Sequence, residues 1–100
     1  MAVHIEIPPD ELAEFCRKWR VRELAMFGSV LRDEFGPESD IDFLVRFGSN
    51  ALWDLWDLTE MREELSTLVR RPVDLVEQEA LRNPYRRREI LATCEVVYAA

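Results

Sequence analysis

The sequence predicts an α/β (α+β) fold, a small mixed β-sheet with helices packed on it. Short apolar runs alternate with longer segments of helical periodicity along the 100 residues. Turn residues such as Gly, Pro and Asn separate several of these segments. Helices that alternate with short strands pack as layers on one sheet, and a chain of this length is expected to form a single domain over residues 1–100.

In the first half of the chain, Pro8-Pro9-Asp10 predicts a helix start. The helix carries one apolar stripe at i, i+3, i+4 and i+7, formed by Leu12, Phe15, Cys16 and Trp19. A strand is expected over 21–27, ending at Gly28. A short helix over about 29–35 should then stop at Gly36-Pro37.

The second half predicts a strand over 41–47 and a helix over about 53–69. The apolar face of that helix carries Leu58, Met61, Leu65 and Leu68. A strand follows over 72–76, then a helix over 79–91 interrupted at Asn83-Pro84, and a last strand over 94–98.

Composition narrows the classes of partner. The net charge of −7 repels the phosphate backbone, so direct nucleic-acid binding is disfavoured. No apolar run approaches the roughly 20 residues of a membrane span, and the start of the chain does not resemble a signal peptide. Cys16 and Cys94 lie far apart in apolar surroundings, so free buried thiols and a cytoplasmic location are expected.

Three aspartates form the candidate catalytic and metal-binding group. Asp40 and Asp42 share one strand face because side chains at i and i+2 point the same way, while Ile41 points to the core. Two like charges about 4 Å apart repel by roughly 4 kcal/mol at an effective dielectric near 20, and a divalent cation removes that cost. Asp74 interrupts an apolar strand and would complete the group if that strand lies beside the first.

The ligand types select the metal. Carboxylates without Cys or His suit Mg²⁺, with Mn²⁺ as the substitute, and the only histidine, His4, is remote. Two such ions about 4 Å apart clamp the attacking and leaving oxygens of an in-line displacement.

A Gly-Ser turn supplies the candidate phosphate site. Gly28 lets backbone approach a phosphate closely, Ser29 adds a hydroxyl donor, and the following helix start favours an anion. Arg32 lies about one turn along that helix. Ser39 directly precedes the acidic pair. Each part has an ordinary alternative: a plain turn, a solvated Asp-x-Asp, or, for Asp74, a charge that protects an edge strand.

Gly28-Ser29, ten further residues and then Asp40-Ile41-Asp42 resemble the signature of minimal nucleotidyltransferases, in the DNA polymerase beta superfamily. Arg71-Pro72-Val73-Asp74-Leu75-Val76 resembles the strand that bears the third carboxylate. The resemblance implies the polymerase beta-like nucleotidyltransferase fold. It also implies that Gly28 and Ser29 hold the phosphates of ATP, and that the three aspartates bind two Mg²⁺ ions.

Further implications of the resemblance concern the reaction. Asp74 is expected to help deprotonate the attacking hydroxyl, and Arg32 keeps the arginine found in many members. Stand-alone members are antitoxins that pair with a helical HEPN-domain ribonuclease toxin and transfer AMP from ATP to a tyrosine of that toxin. A hetero-oligomer with the toxin is therefore expected. Two alternatives are a non-catalytic antitoxin that acts by binding alone, and a nucleotidyltransferase that acts on a small molecule or an RNA end.

Two further features admit more than one interpretation. The segment Leu52-Trp53-Asp54-Leu55-Trp56 predicts core packing or a partner anchor, and both hold if one Trp stays exposed. The basic cluster Arg82, Arg86, Arg87 and Arg88 predicts a solvated helix face, or a contact with an acidic partner or with phosphate.

Overall fold

The computed structural model describes residues 7–28, 40–49 and 51–100. Across these ranges, three α-helices and a four-stranded sheet are formed. The helices are α1 (Pro9–Lys18), α2 (Leu55–Val69) and α3 (Pro84–Thr93). The strands are β1 (Val21–Phe27), β2 (Ile41–Phe47), β3 (Val73–Glu77) and β4 (Glu95–Ala99). The predicted α/β (α+β) class, a small mixed sheet with helices packed on it, is confirmed.

The sheet has the order β3-β2-β1-β4. β1 pairs antiparallel with β2 and with β4, while β2 pairs parallel with β3. A parallel pair needs a crossover, which α2 provides between β2 and β3. The beginnings of β2 and β3 therefore lie at the same sheet end as the last residues of β1.

One sheet face carries α1 and α2. α1 begins with Pro9 in its first turn, where a missing N–H costs nothing, and the predicted stripe of this helix is buried. α2 contributes Met61, Leu65 and Val69 to the same core. The strand residues of this core alternate along the chain except at a register shift between Val21 and Glu23, and they are Val21, Leu24, Met26, Ile41, Phe43, Val45 and Val73.

The opposite sheet face carries α3. Ile90 of α3 packs with Leu81 against Phe27 and Leu44. Since Asp42 lies between two residues that face the α1–α2 core, its side chain belongs to the α3 face.

Two predicted helix starts differ from the structure for local reasons: α2 begins two residues later than expected, and Asn83-Pro84 has a different role. α2 begins at Leu55 because Asp54 and Asp57 form a capping box. The backbone N–H of Asp57 donates to Asp54 Oδ1, and the backbone N–H of Asp54 donates to Asp57 Oδ2. Asn83-Pro84 starts α3 and does not interrupt a helix, because Asn83 Oδ1 accepts from the N–H groups of Tyr85 and Arg86. The predicted helix over 29–35 lies outside the described residues. In the described ranges, no helix is long and apolar enough to cross a membrane.

Candidate functional site

Asp42 and Asp74 are direct partners across neighbouring strands. In the parallel pairing of β2 with β3, the Cα of Asp42 is in register with that of Asp74, between the pairs Ile41–Val73 and Phe43–Leu75. The flanking Ile41 and Val73 both belong to the α1–α2 core, so both carboxylates lie on the α3 face. Asp42 is half-buried and Asp74 is exposed.

Asp40 lies just before β2 and is exposed. If the strand alternation of β2 continued to this residue, its side chain would share the face of Asp42. The structure therefore brings Asp42 and Asp74 together at one end of one sheet face, and Asp40 precedes Asp42 by two residues at that end. β3 is an edge strand of the described sheet, so the alternative role of Asp74 as a protective edge charge is also compatible with its position.

Gly28 lies against the Asp42 carboxylate. Asp42 pairs with Phe27 across the β1–β2 ladder, and Gly28 follows with a φ of +77°. A Cβ placed on Gly28 would come within 2.5 Å of Asp42 Oδ2. Only glycine combines this backbone conformation with this approach. Sequence reasoning predicted glycine here for phosphate approach and missed its contact with the carboxylate, which requires the β1–β2 register.

The remaining predicted site residues, Ser29, Arg32 and Ser39, lie outside the described residues, as does His4. The ranges 1–6 and 29–39 therefore add no geometry to the site.

The carboxylates fit a hard cation by their chemistry. Within the described ranges, no group of three or more His, Cys, Asp or Glu side chains is placed to hold a metal ion as it stands. However, Asp42 and Asp74 are two carboxylates in register on neighbouring strands, and a divalent cation bound there would neutralise their charges. Mg²⁺ is commonly held by one or two carboxylates together with waters and substrate phosphates, so the all-oxygen donor set suits it.

The two tryptophans of the 52–56 segment have different environments. Trp53 donates from Nε1 to the backbone oxygen of Trp19 at 2.9 Å, and the two rings meet edge to face with centroids 5.1 Å apart. Trp56 is 81% exposed. Core packing is confirmed for Trp53, and the exposure of Trp56 leaves the partner-anchor interpretation open for that residue. Arg82, Arg86, Arg87 and Arg88 are all exposed, as the solvated-face interpretation expects.

Neither cysteine is part of the site. Both thiols are free, as predicted; Cys16 is buried and Cys94 is half-buried. Burial raises the pKa of Cys16 to about 12, although the neighbouring Arg17 charge opposes the shift. Burial also raises the pKa of Cys94. Both thiols are therefore protonated and unreactive near neutral pH.

Comparison with known protein sequences gives one family and several relatives. The nucleotidyltransferase domain family matches residues 10–97. A protein of Methanocaldococcus jannaschii, MJ1379, provisionally named a protein adenylyltransferase, is 36% identical over 73 residues, which are 73% of this chain and 73% of the relative. The protein adenylyltransferase MntA of Thermococcus cleftensis is 36% identical over 70 residues, which are 70% of this chain and 69% of the relative.

Solved structures show the same fold. A toxin-antitoxin complex with AMP-PNP aligns with a TM-score of 0.72 at 17% identity, covering 94% of this chain and 75% of that chain. A protein provisionally named a minimal nucleotidyltransferase aligns with a TM-score of 0.69 at 28% identity, covering 90% of this chain and 87% of that chain. A complex of tri-AMPylated Shewanella oneidensis HEPN toxin with MNT antitoxin aligns with a TM-score of 0.64 at 16% identity, covering 92% of this chain and 70% of that chain.

Proposed function

This chain belongs to the nucleotidyltransferase domain family, and we propose that it transfers AMP from ATP to a HEPN-domain ribonuclease toxin and thereby acts as its antitoxin. The acceptor is a hydroxyl group, that of a tyrosine. The relatives named protein adenylyltransferases support the reaction. The solved complexes with AMP-PNP and with a tri-AMPylated HEPN toxin support ATP as the substrate and the toxin as the acceptor.

The observation that carries this proposal is the register of Asp42 with Asp74 beside Gly28. This register brings two carboxylates from separate parts of the chain to one end of the sheet, next to Gly28, which has no side chain to cover them. Asp40, two residues before Asp42, is the third member of the group. In this proposal the three carboxylates would hold two Mg²⁺ ions, which would supply charge neutralisation at the phosphates and at the reacting oxygens.

The phosphate-binding half of the proposal comes from the sequence. Gly28 and Ser29 hold the phosphates through backbone N–H groups and the serine hydroxyl, and Arg32 contacts a phosphate oxygen. Ser39 is a further polar group toward the nucleotide. Gly28 connects the two halves, because it is the residue that follows β1 and contacts the Asp42 carboxylate.

The chemistry is an in-line displacement at the α-phosphorus. The tyrosine oxygen forms a bond to the α-phosphorus, the bond from that phosphorus to the bridging oxygen breaks, and pyrophosphate leaves. The hydroxyl proton passes to Asp74, which is exposed and accessible to an incoming acceptor, and then to water. Asp74 thus acts as general base.

The test uses a cognate HEPN-domain protein as the acceptor. The purified chain, that protein, ATP and Mg²⁺ should yield a mass increase of one or more AMP units on the toxin. Asp42→Asn should abolish the increase while the circular dichroism spectrum stays unchanged. Glu77→Gln, on the same sheet, is the control and should leave transfer intact. Absence of any mass increase with the wild-type chain and any nucleotide contradicts the proposal.

A second candidate is an antitoxin that acts by binding alone, favoured by the exposed apolar residues Leu52, Leu55 and Trp56. An assay of whether the Asp42→Asn variant still protects cells from the toxin distinguishes the two functions. Full protection by this variant supports the binding function, and loss of protection with retained toxin binding supports the catalytic one.

A further inference from the structure

An exposed apolar surface lies at the start of α2. Leu52 is 91% exposed, Leu55 75% and Trp56 81%, all within five consecutive residues. We name these three residues the α2-start patch. Large apolar side chains are commonly exposed singly, whereas adjacent ones indicate an interaction surface.

The α2-start patch stands on a well-anchored base. Trp53, between its members, packs edge to face against Trp19 and Phe47 and donates to the Trp19 backbone oxygen. The next residue, Asp54, forms the capping box with Asp57. Because the backbone is held on both sides, binding through this patch carries a small ordering cost, which favours affinity.

The charged residues around the α2-start patch indicate which kind of partner binds there. Asp54 is exposed beside it, and Glu60 and Glu63 continue the Trp56 row of α2 at i+4 and i+7. Arg62 continues the neighbouring Leu55 row. Two copies of this chain, each with a net charge of −7, would bring acidic rims together, and nucleic acid is likewise repelled. A protein surface with an apolar centre and a basic rim is complementary.

We propose that the α2-start patch docks an apolar helix face rimmed by Lys and Arg on the toxin, an inference that rests on the proposed function. Asp42 lies near the beginning of β2, and the patch follows the end of the same strand. The seven residues of β2 span about 20 Å, so the patch is far from Asp42. Docking and chemistry therefore occupy opposite ends of the sheet. The toxin is held at one end while its acceptor tyrosine reaches the other.

The experiment compares Trp56→Ala with Tyr85→Ala, since both side chains are aromatic and 81% exposed but Tyr85 lies on α3. The probe is the same cognate HEPN-domain protein, and Kd is measured by calorimetry at two salt concentrations. Trp56→Ala should weaken binding by about tenfold or more, as expected of an aromatic anchor. Tyr85→Ala should change Kd by less than about twofold. Leu52→Ala should act as Trp56→Ala does.

AMP transfer is measured in the same samples. Trp56→Ala should raise the KM for the toxin and leave kcat at saturating toxin unchanged, because the carboxylates are untouched. Normal transfer and an unchanged Kd for both Trp56→Ala and Leu52→Ala would overturn the docking inference alone. A wild-type chain that neither binds nor modifies the probe overturns the docking inference together with the proposed function.

Discussion

Gly28 and Asp42 are packed so closely that no side chain fits between them. The Cβ of any other residue at position 28 would come within 2.5 Å of Asp42 Oδ2, at a backbone φ of +77°. The turn after β1 and the acidic strand β2 are therefore one structural unit. A change in the turn reaches the carboxylate directly.

Gly28→Ala should therefore impair activity as well as stability. Alanine at positive φ is strained, and its methyl group displaces the Asp42 carboxylate, so we expect a loss of about 1–3 kcal/mol in unfolding free energy. A displacement near 1 Å in a positioned group costs about 100-fold in rate, and transfer should fall by that order. Urea denaturation and AMP transfer measure the two effects.

Gly48→Ala is the matched control for Gly28→Ala. A Cβ at Gly48 would meet the backbone oxygen of Arg20 at 3.7 Å, which is ordinary van der Waals contact. Its unfolding free energy should change by no more than about 0.5 kcal/mol. Equal effects of the two substitutions would contradict the role assigned to the Gly28–Asp42 contact.

Asp74→Asn should have opposite effects on stability and activity. Without Mg²⁺, it removes the repulsion from Asp42 in the opposite register position and should stabilise the fold by about 0.5 kcal/mol. With Mg²⁺, the wild-type chain should gain stability by mass action, and the variant should gain less. AMP transfer by the variant should be abolished. Thermal unfolding with and without MgCl₂ measures the first two effects.

Glu77→Gln, on the same strand, serves as the control for Asp74→Asn. Glu77 is in register with Val45 and not with an acid. Its response to Mg²⁺ should equal that of the wild-type chain. If Asp74→Asn and Glu77→Gln show the same Mg²⁺ response as the wild type, Asp74 is not a metal ligand.

The two tryptophans of the 52–56 segment should separate stability from binding. Trp53→Ala loses the hydrogen bond to Trp19 and two ring contacts, and should cost about 2–3 kcal/mol. Trp56→Ala removes an exposed side chain and should change the unfolding free energy by less than about 0.5 kcal/mol. Urea denaturation of both variants provides the measurement. A destabilised Trp56→Ala chain would show that Trp56 is a core residue.

Cys16 should make the fold sensitive to alkaline pH. The pKa of its thiol is about 12 in the folded chain against an ordinary value of 9.0, so the unfolded chain loses this proton first. The contribution of the thiol to stability is complete below pH 9.0 and is lost progressively as the pH rises from there toward about 12. Cys16→Ala should be less stable at neutral pH but should lose less stability between pH 8 and 11. If the unfolding free energies of the two chains fell equally between pH 8 and 11, Cys16 would not be the source of the alkaline sensitivity.

Local pattern was sufficient for most elements of this fold. The α1 stripe ending at Trp19 and the bounds of β1 and β2 follow from the sequence pattern, because most apolar side chains there pack on the nearest core. Asn83-Pro84 was predicted to interrupt a helix but begins α3. The dipeptide alone is ambiguous, because it is found both where a helix ends and where one begins. The choice depends on the preceding residues, here the 3₁₀ turn Gln78–Ala80 and an extended Leu81.

By itself, the sequence predicted that Asp40 and Asp42 share a face, and it determined that Asp74 interrupts an apolar strand, since both statements depend only on strand periodicity and residue chemistry. The tertiary structure decided that β3 lies parallel to β2 with Asp74 opposite Asp42, and that Gly28 touches the same carboxylate. It also decided that Trp53 faces inward and Trp56 outward. Strand partners, register and burial arise from contacts between residues far apart in the chain, and no local pattern specifies those contacts.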